Sequence, residues 1–69
     1  MYGLDKERTN KSGNKVWDVV DNLGIKLGEL TRSEELNVWS GKSFDNGTKL
    51  FVDKDKALLH IIGSRQSQP

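Results

Sequence analysis

The sequence predicts an α+β domain in which one N-terminal amphipathic helix packs on a three- to four-stranded antiparallel β-meander. Three observations lead there. Val16, Val20, Leu23, Leu27 and Leu30 recur at spacings of 4, 3, 4 and 3, the stripe of a helix face. Asn46-Gly47 falls between two runs rich in aromatic and β-branched residues, and Asn-Gly supplies both positive-φ positions of a tight hairpin turn. A polar stretch, Asp53-Lys54-Asp55-Lys56, then leads into an apolar run at residues 57–62.

Residues 5–15 carry no large apolar side chain and cannot offset their ordering entropy by burial, so residues 1–14 read as a flexible polar arm. The helix starts near Lys15 and runs to about residue 23, where Gly24 suits a C-terminal cap; Gly24 and Gly28 oppose its extension to Leu30. The valines support a rival reading, with a strand at 16–20, a turn at 21–24 and a return strand at 25–30. Its alternation fails, because one face would hold Val16, Asp18 and Val20 and the other Trp17, Val19 and Asp21. That rival leads to a small all-β SH3-like barrel, five-stranded, with residues 15–30 as its first hairpin.

Ser33 followed by Glu34 and Glu35 resembles a helix start with acids in its first turn. Strands follow at residues 36–44, read as an edge, and at 48–52, joined through Asp45-Asn46-Gly47. Residues 57–62 form the last strand, apolar on both faces except at His60. The polar residues 64–69 read as a disordered tail, which leaves residues 15–63 as a single small globular domain.

Composition narrows the function. The 69 residues hold no cysteine, which removes disulfides and thiolate metal sites together. A chain of this length buries only about 60% of its unfolded surface, so a partner is an attractive source of stability; a larger protein is the expected one, with a homo-oligomer as an alternative. No apolar run approaches the roughly 18 residues of a membrane span and the first residues have no apolar signal core, so a cytoplasmic location without membrane contact is expected. A net charge of +1 and a pI near 8.0 lack the dense basic footprint of a dedicated nucleic-acid binder.

No constellation of catalytic residues stands out, and neither a cofactor nor a metal is expected. Asp53 and Asp55 offer oxygen ligands, but Lys54 and Lys56 interleave and the spacing matches no calcium loop. His60 is the sole histidine and the one side chain that naturally titrates near neutrality. Among Leu58, Leu59, Ile61 and Ile62 it reads first as a sheet residue. The leading functional reading is a small non-enzymatic protein-binding module, an inhibitor, adaptor or regulatory subunit of a larger macromolecule. Trp39, Phe44, Glu34 and Glu35 are its contact residues, since tryptophan is enriched at binding hot spots. The alternative is a nucleic-acid-binding sheet face, with Trp39 and Phe51 stacking on bases and Lys42, Lys49 and Arg65 on phosphates. A third reading, a small nuclease-type toxin domain, would use His60 with those cations.

Overall fold

Two short loops of the same design set up the first half of the chain. At residues 10–14, the Asn10 side-chain oxygen accepts hydrogen bonds from the amides of Ser12 (2.9 Å) and Asn14 (3.0 Å), and the Gly13 amide donates to the Asn10 carbonyl (3.0 Å). At residues 21–25, Asp21 does the same for Leu23 (2.9 Å) and Ile25 (3.0 Å), with the Gly24 amide on the Asp21 carbonyl (3.0 Å). Gly13 and Gly24 hold φ of 83° and 82°, left-handed geometry that costs glycine nothing. Each loop reverses the chain and starts a hairpin.

The computed structural model of the chain describes residues 2–44 and 47–66, and only the backbone at 64–66. Its strands are β1 (Tyr2–Thr9), β2 (Lys15–Asp21), β3 (Lys26–Ser33), β4 (Val38–Ser43) and β5 (Gly47–Phe51), followed by one helix, α1 (Lys54–Gln66). The strands form one antiparallel sheet in sequence order, β1-β2-β3-β4-β5. The antiparallel sheet is as expected; the N-terminal helix is not there. Residues 15–30 form the β2–β3 hairpin instead, and the helical stripe dissolves into it, with Leu23 at the exposed loop tip. A register shift between Val19 and Val20 leaves Leu27 as an extra residue in β3, so that Val19 and Leu27 both reach the core; β2 keeps Val16, Asp18 and Val20 on the face away from α1, where Arg8 and Lys26 pair with the buried Asp18. Nor is the sheet a closed barrel, because β1 and β5 remain separate edges.

Four further expectations are corrected. Residues 2–9, within the segment read as an arm, pair along β2 as β1. Glu34 and Glu35 start no helix: residues 34–37 are the β3–β4 turn, where Ser33 Oγ accepts from the Leu36 amide (3.3 Å) and Asn37 adopts φ 55°. That places β4 inside the sheet and not at its edge. Residues 57–62, finally, are helical. Asp53 caps α1, its carboxylate accepting from the Asp55 amide (3.0 Å) and its carbonyl from the Ala57 amide (3.2 Å). The buried residues Ala57, Leu58, Ile61 and Ile62 then follow the helical period. A short apolar run does not distinguish strand from helix by itself, and the cap that decides it lies just outside the run. The asparagine–glycine turn falls partly outside the described residues; its Gly47 opens β5 with φ 74°.

The ladder sorts side chains into rows across the sheet. On the helix side run Thr9–Lys15–Arg32–Trp39–Phe51, then Trp17–Leu30–Gly41–Lys49, then Leu4–Val19–Gly28–Ser43–Gly47. Helix α1 packs on β3, β4 and β5, directly over the two glycines. A Cβ on Gly41 would stand 2.8 Å from the Ala57 carbonyl oxygen, and one on Gly28 would stand 2.8 Å from Ile61 Cγ2. The core of Val19, Leu27, Leu30, Ala57, Leu58, Ile61 and Ile62 fills the space between. Among the described residues no helix is long and apolar enough to cross a membrane.

Candidate functional site

The helix seals the part of its face around Gly28 and Gly41, and a cluster of aromatic and charged side chains continues beyond it. Trp17 and Trp39 lean toward each other over β3, ring centres 6.2 Å apart and tilted by 32°. Both are half-buried and flank the core. The Arg32 guanidinium lies 5.0 Å from the Trp39 ring centre and the Lys54 ammonium 5.5 Å, within cation–π reach. The Trp17 indole N–H donates to the Glu7 carboxylate (3.1 Å), which also pairs with Lys15 (2.9 Å). Lys15, then the Trp17 indole, hold the Glu7 carboxyl below its ordinary range. Arg32 reaches on to Asn37 Oδ1 (2.6 Å) at the β3–β4 turn. Register explains the assembly: Lys15, Arg32 and Trp39 lie in one cross-strand row, and Trp17 in the next.

The opposite face of the sheet is organised by charge. Asp18 and Glu29 stand directly opposite each other, an arrangement that repels unless cations bridge it. Arg8 touches both (2.9 and 3.2 Å) and Lys26 touches both (3.3 and 2.9 Å). Asp18 is only 7% exposed; burial pushes its carboxyl up, but the bonds from Arg8 and Lys26 outweigh that and hold it below its ordinary value. Glu29 is lowered chiefly by Lys26, and Lys26 raised chiefly by Glu29. With its acids committed to these cations, the cluster is a clasp across β1, β2 and β3. No group of three metal-ligating side chains occurs among the described residues.

Of the contact residues expected from sequence, Trp39, Glu34 and Glu35 lie at the same end of the sheet, the acids exposed in the turn that precedes β4. Phe44, 61% exposed, follows the other end of β4, about 16 Å away at strand rise. The nucleic-acid set is divided. Phe51 neighbours Trp39 and Lys49 shares their face, whereas Lys42, aligned with Glu29, lies on the opposite one; Arg65 falls in α1, its side chain outside the described residues. His60 packs on Phe51 (ring centres 5.6 Å apart), and its Nε2–H donates to the Gly47 carbonyl (3.0 Å), docking α1 on β5. Sequence reasoning passed over Arg32, Lys54 and Glu7. The β3–β4 turn at residues 34–37 sets the register that aligns Arg32 with Trp39, and no local signal marks Lys54. No family model, no curated protein and no solved structure matches the chain.

Proposed function

We propose that this chain is a small non-enzymatic protein-binding module, of the inhibitor, adaptor or regulatory-subunit kind, and that it binds through the Trp17–Trp39 surface. The observation that carries the reading is the half-buried tryptophan pair beside the helix, flanked by Arg32 and Lys54. Tryptophan and arginine dominate protein-interface hot spots, and a rigid aromatic pair offers contact area at low entropic cost. Glu7, Glu34 and Glu35 beside Lys15 and Arg32 give the rim mixed charge, which suits a protein surface better than a uniform phosphate backbone. The cations over Trp39 occupy ring surface that a stacked base would need.

The test is retention of partners from the source lysate by the immobilised chain, with and without nuclease, beside an Arg32→Glu/Lys54→Glu variant. A stoichiometric protein that survives nuclease and is lost with the variant supports the reading. Capture abolished by nuclease replaces it with nucleic-acid binding, and capture indifferent to the variant moves the interface elsewhere.

A further inference from the structure

The two edges of the sheet differ. Strand β1 carries four consecutive charges, Asp5, Lys6, Glu7 and Arg8, and its pairing is interrupted between Asp5 and Arg8, with Lys6 at φ 53°. Charge and a bulge are the devices by which natural sheets discourage further pairing. Strand β5 has no bulge and far less charge. Its five residues pair with β4 in unbroken register and carry one charge, Lys49, so its outer row of amide and carbonyl groups runs straight.

The side chains along that edge specify what fits. Lys49 points to the helix side, in the row of Gly41. On α1, His60 docks against β5, and the exposed Lys56 lies one helical turn before it on the same helix face, so Lys49 and Lys56 flank the edge on one side. Of the acids nearby in sequence, Asp53 has its carboxylate engaged at the α1 N-terminus, and Asp55 lies on the helix face of the exposed Leu59, four residues on, turned from that of Lys56 and His60. On the other side of the sheet the edge presents Leu50, 64% exposed. A strand laid along β5 would meet cations on one face and an apolar side chain on the other. A second copy paired through the same strand would bring Lys49 toward its own equivalent, and like charges facing across strands are unfavourable.

We propose that the outer edge of β5 accepts an extended segment of a partner protein as a sixth strand, with acidic residues alternating with apolar ones, the acids facing Lys49 and Lys56. Main-chain pairing supplies affinity and the alternate side chains supply selectivity, as in other strand-addition complexes. None of these residues belongs to the tryptophan surface, so the two proposals fail separately.

The test titrates the nitrogen-15-labelled full chain with a capped hexapeptide of alternating valine and glutamate, and in parallel with the valine–lysine counterpart and with octathymidylate. The expected result is saturable amide shifts and slowed amide exchange at residues 48–51, with the lysine peptide at least about fivefold weaker. A Lys49→Glu/Lys56→Glu variant, both positions being exposed, should reverse the order of the peptides; the order on the unaltered chain tests the charge argument without any variant. Equal binding of both peptides, shifts along β1 instead of β5, no saturable shift, or a response to octathymidylate alone would each overturn the proposal.

Discussion

Gly28 and Gly41 show how much of this fold rests on single atoms. Each lies under α1 with no room for a Cβ, but the obstacles differ: the Ala57 main chain at Gly41, and at Gly28 the Ile61 side chain together with the Lys42 carbonyl of the neighbouring strand. Backbone cannot rotate aside, so Gly41→Ala should cost about 1–3 kcal/mol, and Gly28→Ala at least as much, read from urea midpoints. The Asp18 clasp makes a second prediction. Asp18 and Glu29 are held below their ordinary values, so their contribution is complete above about pH 4, where both titrate in the unfolded chain, and is lost as pH falls through the lower folded values. Lys26 is raised, so its contribution persists up to its unfolded value near about 10.4 and fades as pH rises through the folded one. Melting temperature against pH should therefore fall away on the acid side, and Asp18→Asn should flatten that limb.

Among the elements, α1 and the hairpin loops depend on contacts between near neighbours. Asp53→Ala removes the side-chain cap from α1 and should cost about 1 kcal/mol, measurable as a lower midpoint with unchanged slope. Gly24→Ala forces a side chain into left-handed backbone and should cost about 1 kcal/mol; Gly13→Ala should behave alike, because the two loops share one hydrogen-bond pattern. These devices stand openly in the sequence as Asn10-x-x-Gly13 and Asp21-x-x-Gly24, eleven residues apart. They were outweighed by the valine and leucine spacing, which fits a helix numerically while placing Leu23 at a loop tip. The Asp53 cap is equally visible, but its polar segment also suits a turn, because the apolar run after it fits a strand as well as a helix.

At the scale of the whole molecule, a single core joins α1 to β2 and β3, with Trp17, Trp39 and Phe51 packed against it. Tryptophan fluorescence and far-ultraviolet circular dichroism should accordingly trace one coincident urea transition. The candidate surface was legible only in part. Trp39, Glu34 and Glu35 stand out by residue type and lie toward one end of β4, whereas Phe44 stands out on the same grounds and lies past its other end. Arg32 and Lys54 were missed because nothing local to either residue marks it; both gain their significance from standing over Trp39. What the sequence by itself determined is the local chemistry: the two side-chain-bridged loops, the Asn46-Gly47 hairpin signal, the Asp53 cap and the presence of an antiparallel sheet. The loops, the turn signal and the cap act between residues a few positions apart. The Asp21 loop and the Asp53 cap already favour the hairpin at residues 15–30 and the helix at residues 57–62; tertiary structure decided that they prevail over the helical stripe and the strand-like run, and it alone decided that Trp17 meets Trp39. Each of those outcomes depends on burial against distant partners, Ile61 over Gly28 and Ala57 over Gly41, and a short apolar run takes the conformation that its distant neighbours can cover.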